Sequence, residues 1–290
     1  MAAVTMHLGE IGQQLRAFRL ESGMRADEIA TRLGVSRAAL YRYEKGEVIK
    51  LDTVQRLAEL LKISPLTLLG VGFDYYNCPN RFFEKLTALE SDVLQSLQIC
   101  DPICYQVTSP AYDVILQEAH TSLPEQKENA APAILTQANR RALYNQRKPS
   151  IISMLPEGLV VEFLRQGVGA HVPMSETLRQ KARQVAVQEI RNIITLMDSV
   201  PMGLQFSVIP ENMTVTPCIY MRKSEQVVVA INPFRSDCCP AYTSGVAMIT
   251  ASPEAVLTHQ RMLESLWQTS LKGQDAMERL KTLVAQHGAV

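Results

Sequence analysis

The 290-residue chain carries 29 Lys and Arg against 29 Asp and Glu, a formal net charge of zero, with 47% hydrophobic residues. Such a balance excludes a protein drawn to nucleic acid or membrane by its overall field, so any grip on a polyanion has to come from a local patch. The length exceeds one small domain and predicts two, the second with a core of its own.

At the N-terminus, MAAVTMHLGE lacks the basic start and apolar run of a leader, and no later stretch approaches membrane length, so a cytoplasmic chain is expected. Leu8, Ile11, Leu15 and Phe18 recur at helical spacing. The stretch from Arg25 to Gly46, RADEIATRLGVSRAALYRYEKG, then reads as two short helices joined by a tight turn. In the first, Ile29, Ala30 and Leu33 make one buried face that stops at Gly34, a residue that accepts the left-handed backbone of a helix end. Ser36 is a good N-cap for the second helix, and Leu40 and Tyr43 turn back into the same core. That leaves Arg37, Ala38, Tyr41, Arg42 and Lys45 on an open basic face, as a helix entering a major groove requires. A solvated charged surface is the plainer account of those arginines. Val54, Leu57, Ala58 and Leu61 supply a following helix and Pro65 opens a last short one, completing a mostly α, five-helix domain over residues 1–72. Residues 1–70 hold ten Lys and Arg against eight Asp and Glu, an excess too small for a nonspecific polyanion grip.

LRAFRLESG, DEIATRLGVS and SRAALYRYEKG, in that order, resemble the DNA-binding domain of the Xre (Cro/CI-like) repressor family over residues 8 to 69. The resemblance implies base contacts from Arg37, Ala38 and Arg42, backbone contacts from Tyr41 and Lys45, and a structural pair between Arg19 and Glu44. Where the family commonly has a phosphate-contacting Gln, this sequence has Ala26; Arg25 or Ser36 would have to make that contact. With so slight a basic excess, a homodimer held mainly by residues beyond Gly70 is expected on a double-stranded DNA operator with an inverted repeat, because two linked domains gain through effective concentration.

After Leu69, GVGFDYYNCPN reads as a linker, and residues 73–100 as linker and connecting helix. Phe82, Phe83, Leu86, Leu89, Val93, Leu94 and Leu97 form an apolar stripe that either docks on the second domain or pairs across a dimer axis. Ile103 to Val107 is a short extended run, and Ser109 and Pro110 start a helix through Ala119. TSLPEQKENAAP, residues 121–132, reads as an exposed loop. The helix from Ala133 to Arg147 carries Arg140, Arg141, Arg147 and Lys148, either a solvated face with cations near a helix C-terminus or a second DNA or ligand patch.

Glu157 to Arg165 makes a helix stopped by Gly167, and a longer helix from Ser175 to Ser199 buries Leu178, Ala182, Val185, Ile190, Ile193 and Met197. From Gly203 the period turns extended: Leu204–Ile209, Cys218–Arg222, Gln226–Ile231 and Val246–Thr250 are β-prone. Helices from Ser252 and from Asp275 close the chain. Residues 101–290 are therefore expected to be an α+β, or α/β, effector and dimerisation domain with a small sheet. RKPSIISMLPEGLVVEFLRQG and GVAMITASPEAVLTHQRMLESLWQ resemble effector domains attached to Xre-type regulators in bacteria.

No catalytic motif stands out. His7, His120, His171, His259 and His287 are followed two residues on by Gly, Ser, Pro, Arg and Ala, never the Lys of a phospholipase D scaffold, and no nucleophile elbow, P-loop or dinucleotide turn is present. Cys78, Cys100, Cys104, Cys218, Cys238 and Cys239 lack zinc-ligand spacing and read as buried hydrophobes or, alternatively, a thiol sensor. No metal, cofactor or enzyme activity is expected. A ligand-responsive transcriptional regulator fits best, with an unknown small-molecule effector contacted by Asn232, Arg235 and Tyr242 at strand ends. A DNA-binding, antitoxin-like or partner-recruiting interaction protein is the alternative.

Overall fold

Apolar residues at helical spacing converge first near the N-terminus, where α1 (Leu8–Glu21), α2 (Ala26–Leu33), α3 (Arg37–Glu44), α4 (Leu51–Leu61) and α5 (Pro65–Leu68) surround one core of Leu15, Ile29, Leu40, Leu57 and Leu68. The computed structural model describes residues 8–69, 72–121, 127–235 and 244–288. Helix α2 ends as its sequence requires: Gly34 adopts φ 69°, and Val35 N–H returns to the Ala30 carbonyl at 3.0 Å. Ser36 caps α3 by accepting from the Ala39 N–H at 3.1 Å. On α1, a Cβ at Gly12 would meet the Glu44 and Tyr43 carbonyl oxygens and the Gly46 nitrogen at 2.6–2.7 Å. The bare glycine is what lets the end of α3 cross α1 so closely.

The rest is α+β, but its sheet is wider than the small one expected. Strands β1 (Phe73–Tyr76), β2 (Gln95–Ile99), β3 (Ser150–Pro156), β4 (Leu204–Ile209), β5 (Cys218–Arg222), β6 (Val227–Ile231), β7 (Ala247–Thr250) and β8 (Leu271–Lys272) form one eight-stranded sheet in the order β1-β7-β6-β5-β2-β3-β4-β8. β2, β3 and β4 run parallel and every other pairing is antiparallel. One face is covered by α6 (Pro79–Glu90), α7 (Pro110–Thr121), α8 (Lys127–Arg147), α9 (Glu157–Gln166), α10 (Glu176–Ser199) and α12 (Gly273–His287); α11 (Pro253–Thr269) packs on the opposite face through Leu263 and Leu266.

Four expectations are corrected here. Residues 73–100 are not a linker with a connecting helix: they supply β1, α6 and β2, the first and a central strand of the sheet. The helix stops at Glu90, so the stripe does not run to Leu97. Its members Phe82, Phe83, Leu86, Leu89 and Val93 are buried against Met221, Val228 and Ile249, which removes them as a dimer contact. The proposed loop 121–132 is partly helical, since α8 begins at Lys127, and Ile103–Val107 closes as a 3₁₀ turn over Tyr105–Val107 rather than an extended run. Cys238 and Cys239 lie outside the described residues.

Candidate nucleic-acid interface and a buried polar seam

Helix α3 buries Ala39 and Leu40 and presents Arg37, Ala38, Tyr41, Arg42 and Lys45 to solvent. The exposed side chains are loosely tethered. Arg37 lies 5.4 Å from the Tyr41 ring centroid and donates to Tyr41 Oη at 3.1 and 3.3 Å, a bond that raises its pKa. Arg42 Nε sits 3.6 Å from Glu47, and Arg25 Nε 3.3 Å from Asp27. Exposed pairs of this kind contribute about 0–1 kcal/mol, so exchanging them for phosphates or base edges costs little. Ala38, with only a methyl between the two arginines, leaves the helix free to approach a groove floor.

Beneath this face the Arg19–Glu44 pair is tight. Arg19 Nε donates to Glu44 Oε1 at 2.5 Å and Nη2 to Oε2 at 3.1 Å, with the side chains 13% and 6% exposed. The Glu44 hydrogen bond raises the Arg19 pKa against the pull of burial. The same guanidinium stands 6.0 Å over the Tyr41 ring, so the fork joins α1 to the C-terminal end of α3 and supports an exposed residue of the open face.

In the sheet domain, a second cluster forms on the helix whose cations read either as a solvated face or as a second DNA or ligand patch. Arg140 on α8 is 4% exposed; its Nε and Nη2 donate to the two Glu90 carboxylate oxygens, each at 2.8 Å, and Nη1 to Gln137 Oε1 at 2.8 Å. Burial lowers its pKa, and Glu90 more than restores it. Gln106 Nε2 donates to Glu90 Oε1 at 3.1 Å, and Gln98 Nε2 to Ser153 Oγ at 2.8 Å, which extends the network across β2 and β3. Next to it Arg141 pairs with Asp113, and Tyr105 Oη donates to Asp113 at 2.5 Å. Ser109 gives both its N–H and its hydroxyl to Glu189, whose carboxyl burial pushes up. Polar Gln98 and Ser153 inside the apolar runs QSLQI and SIISMLP were the sequence signal for this seam.

The three suggested effector contacts do not meet at one place. Asn232 is buried, its Oδ1 accepts from the Phe234 N–H at 2.9 Å, and it lines a cavity of about 40 Å³ together with Gln98, Gln106 and Arg140. Arg235 is turned instead to Glu162 on α9 at 3.1 Å and is not part of that lining. Tyr242 lies outside the described residues.

A family model described as a helix-turn-helix domain matches residues 10–68, and the N-terminal domain is a helix-turn-helix domain. Two curated relatives are similar over part of the chain. A protein of Pyrococcus abyssi, named as a candidate HTH-type transcriptional regulatory protein, is 28% identical over 116 residues, which are 39% of this chain and 36% of that protein. One of Pyrococcus horikoshii with the same description is 30% identical over 111 residues, 37% of this chain and 34% of that protein. The matches thus span about a third of either relative, and their source gives no support to a bacterial setting. A solved structure of TrmBL2, titled as an archaeal chromatin protein with a novel mode of DNA binding, aligns at a TM-score of 0.36 and 10% identity over 75% of this chain and 60% of its own. That likeness is too slight to bear on fold or function.

Proposed function

We propose that this chain regulates transcription by binding DNA sequence-specifically as a homodimer, and that its sheet domain answers to a small-molecule effector. The observation that carries the reading is the open face of α3: Arg37, Ala38, Tyr41, Arg42 and Lys45 are exposed together on a helix whose cap, turn and Arg19–Glu44 fork fix its direction. Arg37 and Arg42 suit bidentate contact to guanine, and Lys45 a phosphate. With so small a local basic excess, two domains acting together supply what one cannot, since engaging the second half-site intramolecularly raises avidity by about 10² to 10⁴. Dimers of this type read half-sites about 10 bp apart or a multiple of that. The names of the two partial relatives agree with a regulatory role.

Binding rather than catalysis is assigned to the sheet domain. Burial pushes the Cys104 thiol up to about 11 and the Cys218 thiol to about 12, which makes both poor nucleophiles near neutral pH. A cavity with converging polar side chains favours a ligand site over the partner-recruiting alternative, which needs a contiguous exposed apolar patch. The exposed large apolar residues are spread instead over many elements, among them Val48, Leu66, Leu135, Met202 and Leu257.

The test is selection of bound fragments from random DNA with the intact protein, then sedimentation of the protein on the selected sequence. An inverted repeat occupied by two chains is expected. Recovery of no common sequence, or a single chain on a single site, contradicts the proposal.

A further inference from the structure

We propose that the cavity at the carboxyl end of β2 is the effector site, and that it takes a small uncharged molecule bearing a carbonyl- or amide-type acceptor. Only the word effector rests on the regulatory reading above; the site itself stands on its geometry. β2 pairs in parallel with β3 on one side and antiparallel with β5 on the other, so its carboxyl end meets the start of β5, where Ile99 lies opposite Cys218. The cavity opens there, bounded by Ile99, Cys100 and Asp101.

Its polar groups have donors to spare. A guanidinium carries five N–H groups, and the bonds to Glu90 and Gln137 use three of those on Arg140, leaving two on a side chain 4% exposed. Asn232 spends its Oδ1 on Phe234 N–H, and its Nδ2 has no partner among the described residues. Both residues line the cavity, so a guest must present acceptors. The charge is already balanced: Glu90 neutralises Arg140 through two 2.8 Å bonds, so an anion entering here would be buried without compensation, whereas a neutral acceptor is not penalised. Phe83, Leu86, Ile103 and Ile219 provide apolar walls for the remainder of the molecule. At about 40 Å³ the cavity has room for roughly three water centres, since each needs about 10–15 Å³, which matches an acceptor group with a few carbon atoms. A smaller space of about 20 Å³ lies beyond Arg140 and Gln106, bounded by Tyr144 and Leu143 of α8. Phe83 and Leu86 belong to α6, which follows β1 and so joins the cavity to the segment leaving the helix-turn-helix domain.

The experiment uses the full chain labelled with ¹⁵N and follows the Arg140 Nε–H and Asn232 side-chain amide signals during titration with acetamide, acetate or ethylammonium at constant ionic strength. Saturable shifts with acetamide alone are expected. In Asn232→Asp, which keeps the oxygen that accepts from Phe234 N–H but loses the donors, acetamide should bind about tenfold more weakly, the worth of one buried hydrogen bond. Arg140→Lys, with three donors instead of five, should weaken it as well if Asn232→Asp does not fold. Shifts that stay linear, acetate binding as well as acetamide, or variants that bind like the wild type overturn the proposal. A parallel titration with DNA separates the two readings: DNA binding without acetamide saturation sinks this site alone, and the reverse sinks the regulatory reading alone.

Discussion

Gly12→Ala should destabilise the helix-turn-helix domain and weaken DNA binding, although alanine is the better helix former. The gain in propensity is about 0.8–1.0 kcal/mol. Against it, the new methyl would sit 2.6 Å from the Glu44 carbonyl oxygen and the Gly46 nitrogen and 2.7 Å from the Tyr43 carbonyl oxygen. All three are backbone atoms, which cannot rotate away, so α1 and the end of α3 must part by several tenths of an ångström or more. Overpacking a tight contact costs about 1–3 kcal/mol, and a site walled by backbone belongs at the upper end. The net expectation is a loss of about 1–2 kcal/mol, and in a domain this small each kcal/mol moves Tm by about 4–8 °C. Because Glu44 and Tyr43 lie in the last turn of α3, the displacement also tilts the open face. Thermal melts followed by far-UV circular dichroism, with a DNA titration at fixed salt, measure both effects. Gly158→Ala is the control: its Cβ would meet nothing within 4 Å, so it should be neutral or stabilising. A Gly12→Ala protein that melts at or above the wild type with full DNA affinity refutes the close-approach argument.

Glu44→Ala strands the mostly buried Arg19 guanidinium and should cost about 3–5 kcal/mol, seen as a lower melt together with weaker DNA binding; an unchanged melt with lost binding would place Glu44 at the DNA surface instead. His120 is buried, neither ring nitrogen has a hydrogen-bond partner among the described residues, and burial lowers its pKa below the ordinary 6.5. The unfolded chain therefore takes up that proton at higher pH than the folded one, and the stability present above about pH 6.5 is lost as the pH falls through it. His120→Leu should narrow the difference in Tm between pH 7.5 and pH 5.5, and an equal difference in both proteins would show that His120 is not the group responsible. Lys45→Ala should weaken binding to all sequences alike and reduce the salt slope by about one, as read from titrations at several salt concentrations; a sequence-dependent loss would contradict a phosphate contact.

The helix-turn-helix domain was legible because its constraints are local. Gly34 at a left-handed turn, Ser36 at a cap and apolar residues three and four apart all act within one or two turns of chain. The long helix α10 and the β-prone runs of β4 to β7 were readable for the same reason. The α6–β2 boundary was not, because a central strand buried on both faces offers no clean alternation. Val93 and Leu97 therefore continued the spacing of α6 although the chain turns at Ser91. The seam was hidden by sequence distance. Arg140 looks like a solvated helix charge until Glu90, fifty residues earlier, is brought against it by α6 packing on α8. Gly12 was equally silent, since nothing near it in sequence tells that α3 will cross there.

The central claim is that α3 reads bases through Arg37 and Arg42. It is tested most directly by determining base-preference matrices for the wild type, Arg37→Ala and Arg42→Ala from the same random DNA pool at the same salt. A bidentate contact carries about 1–3 kcal/mol of discrimination, so each variant should lose preference at one position per half-site and keep it elsewhere. Two matrices indistinguishable from the wild type would contradict the account, because the residues that stand open on α3 would then not be the ones that read the sequence.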